Sequence, residues 1–189
     1  MTEQELLQDC LRRLSGAGLK YMLVGSMAGN YWGIPRSTHD IDFVIQYQEA
    51  DVKRIVALFE KDFFIQEISV RSALRPPHQF NAIDERSAFK VDFFTLTNDR
   101  YDRVQFERRR SVTLFGEPAF IAAPEDVILY KFRWYTISPS ERQLFDIAGI
   151  WSVSRAELDL DYMRQWAKEI GVEQWMNRLE RGDLKPKTT

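Results

Sequence analysis

The sequence predicts an α/β (α+β) protein: a mixed β-sheet flanked by helices, followed by a C-terminal helical part. Three observations predict it. Up to Ala123, short apolar runs of strand length alternate with stretches of helical spacing. From Pro124 onward only helical spacing recurs. Of the 189 residues, 44% are hydrophobic and 13% aromatic, enough to bury a sizeable core. The expected division is an α/β core over 1–123, a helical part packed on it over 124–182, and a flexible polar tail over 183–189 carrying Pro186. No Pro/Gly-rich linker separates the first two parts, so one unit is expected.

The elements follow in order. Leu7, Leu11 and Leu14 share one face, which predicts a helix over 3–14 that ends in the run from Ser15 to Gly18. Residues 21–24 form an apolar run of strand length, stopped by Gly25. Ser26 is expected to cap a short helix over 27–32. Gly33-Ile34-Pro35 reads as a turn, residues 40–45 as a second strand, and 50–60 as a helix with Val52, Ile55, Val56 and Phe59 inward. Strands are expected at 64–70, 79–83 and 89–94, the last two joined by a turn at Asp84 to Ser87. A hairpin is expected from 112–115 and 119–122 around Gly116-Glu117-Pro118. Pro124 suits a first helical position, with Glu125 and Asp126 favourable to the helix dipole. Ser138-Pro139-Ser140-Glu141 reads as a capping box opening another helix. One or two further helices are expected up to about Leu179.

Composition excludes more than it selects. The net charge is −2 and neither half is strongly basic, so charge argues neither for nor against nucleic acid. Cys10 is the single cysteine, which rules out an internal disulfide and a cysteine-based zinc site. The amphipathic N-terminus has no apolar signal core, and no stretch is long enough to cross a bilayer. A cytoplasmic protein without membrane contact is expected.

Chemistry concentrates between Tyr21 and Ile45. The order is apolar strand, Gly25-Ser26, short helix, loop, then Asp40-Ile41-Asp42 inside an apolar run. Side chains at i and i+2 of a strand share a face. Asp40 and Asp42 therefore project together, with Ile41 and Phe43 toward the core. Adjacent carboxylates repel and raise one another's pKa. A hard divalent cation, Mg²⁺ or Mn²⁺, relieves that repulsion through carboxylate oxygens. The Gly-Ser turn supplies backbone N–H groups and a hydroxyl at a helix start, where phosphate is favoured. An isolated Asp-x-Asp is more often a solvated turn; the combination, and acids placed in a half-buried strand, point to a metal beside a phosphate cradle.

At these residues the sequence resembles the nucleotidyltransferase superfamily, whose members pair Gly-Ser with Asp-x-Asp and a third carboxylate on a later strand. That third acid corresponds to Asp92, in Lys90-Val91-Asp92-Phe93-Phe94. Ile34 to Asp42, and Ala123-Pro124-Glu125-Asp126 leading to Lys131 and Asp146, resemble the bacterial branch that includes toxins of abortive-infection and toxin–antitoxin pairs. The resemblance implies a nucleotidyltransferase fold. It also implies a two-metal mechanism in which Asp40, Asp42 and Asp92 are catalytic and hold the metal, and an acceptor hydroxyl attacks the α-phosphorus of a nucleoside triphosphate. It leaves the acceptor open among RNA, protein and small molecule, and brings an antitoxin protein as the expected partner. A catalytically silent binding module of the same fold is the rival reading.

The supporting residues carry alternatives. Asp92 could instead pair with Lys90 or an arginine. Lys131 is a cation for the triphosphate, a snorkelling lysine or a partner of Asp146; Asp146 reads as structural, orienting a cation. Arg36 reaches phosphate or pairs with an acid. With Gly25 and Ser26, Arg36 and Lys131 make up the expected nucleotide contacts. His39 reads as structural, and Ser37 and Thr38 as loop. Arg100, Arg103 and Arg108-Arg109-Arg110 read as a solvated helix face ahead of an RNA-backbone contact, because acids interleave with them. The five tryptophans read as packing, one of them able to stack on a base.

Overall fold

The computed structural model describes residues 1–184. The elements are α1 (Glu3–Gly16), β1 (Lys20–Leu23), α2 (Gly25–Trp32), β2 (Ile41–Gln46), a 3₁₀ turn (Glu49–Asp51), α3 (Val52–Phe59), β3 (Phe63–Phe64), α4 (Glu67–Ser72), β4 (Gln79–Asp84), β5 (Lys90–Thr95), α5 (Arg100–Glu107), β6 (Arg110–Leu114) and β7 (Glu117–Ile121). Helices follow to the end of the described residues: α6 (Pro124–Ile137), α7 (Glu141–Ser154), a 3₁₀ turn (Arg155–Glu157), α8 (Leu160–Glu169) and α9 (Glu173–Glu180). The strands form one seven-stranded mixed sheet in the order β3-β4-β5-β2-β1-β7-β6. β2 runs parallel to β5 and β1 parallel to β7; the other pairs are antiparallel.

One row of the sheet explains where the acids go. Phe43, Phe93 and Phe80 are in register across β2, β5 and β4. Their rings stack, with centroids 5.8 Å apart for Phe43–Phe93 and 5.0 Å for Phe80–Phe93. All three are buried, and Phe59 of α3 closes on Phe93. The preceding row, Asp42 beside Asp92 beside Asn81, must then face the other side, because side chains alternate along a strand. The aromatic ladder thus fixes the register that places two carboxylates side by side.

The core is continuous from Leu6 in α1 to Leu184, the last described residue. α1 is locked by a reciprocal cap: the Glu5 N–H donates to Thr2 Oγ1 at 3.2 Å, and the Thr2 N–H to Glu5 Oε2 at 2.8 Å. α6 begins with Pro124 at its first turn, as expected. Its buried acids Glu125 and Asp126 bind Arg108 from the end of α5, and Asp126 also accepts from Tyr101 Oη at 3.0 Å and Tyr162 Oη. Arg108 lies over the Tyr162 ring, 3.7 Å from its centroid. These contacts tie α5, α6 and α8 together.

Several local expectations are corrected. Residues 64–70 are not a strand: β3 stops at Phe64 and α4 follows. Helical spacing prevails there: Val70 and Ala73, three apart, enter the core together while Ile68 is left exposed. Ser26 does not cap α2; Val24 holds that position and no side chain caps the helix. Ser140 does stand at the cap position of α7, yet its hydroxyl makes no capping bond. The β6–β7 turn sits at Phe115-Gly116, both with positive φ, and Glu117 and Pro118 already belong to β7. Part of the tail expected over 183–189 lies outside the described residues. Among the described residues no helix is long and apolar enough to cross a membrane.

Candidate functional site

A cavity of about 340 Å³ opens between the sheet and helices α2, α6 and α7. Gly25, Ser26, Arg36, Asp40, Asp42 and Lys131 all line it, so residues far apart in sequence converge on one cleft. The size is that of small-molecule sites in general. One wall is apolar, with Val44 and Phe94 from the sheet and Val127, Tyr130 and Trp134 from α6.

Gly25 and Asp42 are in direct contact. Gly25 has φ +64°, and a Cβ placed there would sit 2.1 Å from Asp42 Oδ2 and 2.9 Å from its Cγ. Glycine is needed for the backbone conformation and for the close approach of the carboxylate. Val24 is anchored by donating to the Asp42 carbonyl at 2.9 Å. α2 then starts beside the carboxylate with no side chain capping it, leaving its first N–H groups without a side-chain partner.

The acids differ from one another. Asp42 is half-buried, and its pKa is pushed up to about 6 by burial first, then by the charges of Asp92 and Asp40, with Lys131 and Lys90 opposing. Among the described residues no cation forms an ion pair with it. Asp40 is exposed, one residue ahead of β2, with its N–H donating to Thr38 Oγ1. Asp92 is not part of the cavity lining. Its carboxylate is held by Lys90 Nζ at 2.7 Å and approached by Gln79 Nε2 at 3.5 Å. The Lys90 pKa is raised, first by that bond to Asp92, with Asp40 and Asp42 adding to it.

The cations are organised by Asp146, which is buried on α7. Arg36 grips it through two bonds, Nε–Oδ1 at 2.7 Å and Nη2–Oδ2 at 2.9 Å; Lys131 Nζ reaches Oδ2 at 2.7 Å. The Arg36 Nη2 also donates to Ser26 Oγ at 2.8 Å. Ser26 is therefore bound to the cation cluster instead of capping its helix. Gly29 makes room for this, since Lys131 Cε lies 3.4 Å from where its Cβ would be. Two cations on one acid leave a positive charge over at the cleft.

Among the lining residues that sequence reasoning missed, Arg142 and Gln143 bring polar groups to the cavity. Arg142 reaches the cavity from the first turn of α7 without an acid partner among the described residues, and Gln143 brings a buried Oε1 with no hydrogen-bond partner. Nothing in the local sequence separates Arg142 from any exposed helix-start arginine. Trp134 lines the cavity and stays 43% exposed, so it is not simply packing. His39 stands against Glu3 and stacks on Phe89, centroids 6.1 Å apart. The arginine run is committed elsewhere: Arg108 and Arg110 to Glu125, Arg100 to Glu169, and Arg109 over the rings of Phe106 and Phe120.

The donor set can be judged for a metal. Asp40 and Asp42 offer hard oxygens, and neither is ion-paired among the described residues, which suits one divalent cation. Three carboxylates do not assemble: among the described residues no group of three or more His, Cys, Asp or Glu side chains is arranged to hold a metal ion. Lys90 already occupies Asp92.

No family model matches this chain, and no curated protein matches it in sequence. Solved structures do match, and the fold is that of nucleotidyltransferases. One is an antigenic nucleotidyltransferase-like protein from Paracoccidioides brasiliensis, with TM-score 0.62 and 15% identity over 96% of this chain and 89% of that one. Another is ANT(2'')-Ia in complex with adenylyl-2''-tobramycin, with TM-score 0.60 and 14% identity over 89% of this chain and 98% of that one. The solution structure of the antibiotic-resistance factor ANT(2'')-Ia aligns with TM-score 0.56 and 13% identity over 96% of this chain and 94% of that one.

Proposed function

We propose that the chain is a nucleotidyltransferase that moves a nucleoside monophosphate from a nucleoside triphosphate to a hydroxyl acceptor, with Mg²⁺ or Mn²⁺ at Asp40 and Asp42. The observation that carries this reading is the contact of Gly25 with the Asp42 carboxylate, at the uncapped start of α2. On this reading the turn is a phosphate cradle and Asp42 the metal-binding acid beside it. A bound cation would neutralise triphosphate charge and orient the α-phosphorus for in-line attack. The chain's own contribution is positional. The first N–H groups of α2 face the phosphates. Ser26, Arg36 and Lys131, fixed by Asp146, supply a hydroxyl and two cations from one side. Tyr130 and Trp134 offer an apolar wall on which a base can lie flat. The acceptor's oxygen bonds to the α-phosphorus, its proton leaves, and pyrophosphate departs.

The acceptor is an RNA, a protein or a small molecule. On the resemblance at Ile34 to Asp42, the chain is proposed as the toxin of a toxin–antitoxin pair, with an antitoxin protein as its partner. A second reading, a silent nucleotide-binding module, is favoured by the Lys90–Asp92 ion pair, which leaves the third acid engaged. Incubation with each triphosphate labelled at the α-phosphorus, Mg²⁺ and a cell extract separates the two. The transferase reading expects one class of molecule to become labelled; the silent module expects nucleotide binding and no label anywhere.

Arg142 adds a prediction. An arginine without an acid partner in a phosphate-binding cleft makes a charge-assisted bond worth about 1.5–3 kcal/mol. Arg142→Ala is expected to weaken nucleotide affinity about ten- to a hundredfold with little change in melting temperature. Unchanged affinity in a titration at fixed Mg²⁺ would remove Arg142 from the site.

A further inference from the structure

We infer that Lys90 takes the place of a second metal ion, so that this site holds one divalent cation with its nucleotide where the three-acid plan calls for two. The inference rests on the nucleotidyl-transfer reading and departs from it at Asp92. Three observations carry it. Lys90 and Asp92 lie two apart on β5 and share a face of the sheet. Lys90 Nζ stands 2.7 Å from Asp92 Oδ2, a full charge-assisted bond. Asp92 lies beside Asp42 in the parallel β2–β5 register, so a cation shared between those two acids would have to compete with the ammonium for the Asp92 carboxylate.

The burial pattern supports the assignment. The Asp92 side chain is only 10% exposed, whereas that of Lys90 is 49% exposed. A nearly buried carboxylate needs a partner in a low-dielectric setting, and here that partner is a residue of the chain. Asp42, by contrast, makes no ion pair among the described residues, and Lys131 and Lys90 act on it only through their charge. The two halves of the site thus differ. Asp40 and Asp42 await a cation from solution, and Asp92 already has one. The donor set agrees, since no three-carboxylate group forms among the described residues. Nucleotide-bound metal enters at the first half, and the acceptor side is neutralised by lysine.

The test counts metal ions. The parent, Lys90→Gln and Lys90→Met are each saturated with a triphosphate analogue whose α–β bridging oxygen is replaced by carbon. Each is then titrated with Mn²⁺ and followed by electron paramagnetic resonance. Lys90 is half exposed, so both neutral variants are expected to fold, which circular dichroism checks. The inference expects one uncoupled Mn²⁺ per parent chain and two spin-coupled ions in both variants. Lys90→Arg, which keeps the charge, should remain at one. Two coupled ions in the parent, or one in the neutral variants, overturns the role of Lys90 and leaves the transferase reading standing. No protein-bound Mn²⁺ in any of the four removes both.

Discussion

Gly25→Val is expected to abolish triphosphate binding while leaving the sheet formed. Two effects act together. The residue has φ +64°, a left-handed conformation that disfavours any Cβ by about 1–2 kcal/mol and a β-branched side chain more. The new Cβ would also fall 2.1 Å from Asp42 Oδ2. The Asp42 side chain is short and its own Cβ lies 3.1 Å from the same point, so it cannot swing clear without moving β2. The turn and the acid must therefore shift apart, which takes away the cradle and the first metal ligand at once. Nucleotide affinity should fall below detection and the melting temperature by several degrees, with far-UV circular dichroism near that of the parent. Gly25→Ala should show the same loss with a smaller drop in melting temperature. A Gly25→Val protein that binds triphosphate like the parent would separate the turn from the phosphate site.

Asp42→Asn is expected to lower transfer by about 10³-fold, of the order seen when a preorganised charge-stabilising group is lost, yet to stabilise the metal-free protein. The folded pKa of about 6 lies above the ordinary 3.8. The folded state therefore holds this proton more tightly than the unfolded chain, and stability falls as pH rises from about 4 through about 6. At about 1.4 kcal/mol per unit, the ionised carboxylate costs up to about 3 kcal/mol above pH 6 in the absence of a cation. Asparagine removes that cost. Its melting temperature should exceed the parent's at pH 8 and converge with it at pH 3.5, where both forms are neutral. Saturating Mg²⁺ and nucleotide should raise the parent's melting temperature and leave the variant's in place. A variant less stable than the parent at pH 8 would mean that the acid is held by a partner in the fold, against the geometry described.

The legible parts of this molecule are those set by local pattern. The alternation at Ile41, Phe43 and Ile45 showed which way Asp42 must face, and the structure puts those three residues in the core. Gly25 next to an apolar strand announced a sharp turn, and Pro124 a helix start. Relations that only tertiary packing creates were not legible. Ser26 looked like a cap because serine before a short helix usually is one; Arg36, ten residues on, claims its hydroxyl instead. Arg142 enters the cleft because α7 packs on α2, which no local spacing reports. At 64–70 the expected strand gave way to a helix because Val70 and Ala73, three apart, both pack into the core. Lys90 stood in the sequence as a partner of Asp92, but its meaning depends on Asp42 lying alongside, and that comes from β2 and β5 being adjacent and parallel.

The central claim, nucleotidyl transfer at Asp42, is tested most directly by asking which phosphorus moves. The parent and Asp42→Asn are incubated with Mg²⁺, cell extract and the preferred triphosphate, carrying one radiolabel at the α-position and a different one at the γ-position. The α-label should appear in the acceptor, the γ-label should be recovered in pyrophosphate, and both signals should vanish in Asp42→Asn. Transfer of the γ-label to the acceptor, or α-label transfer that survives in Asp42→Asn, would contradict it.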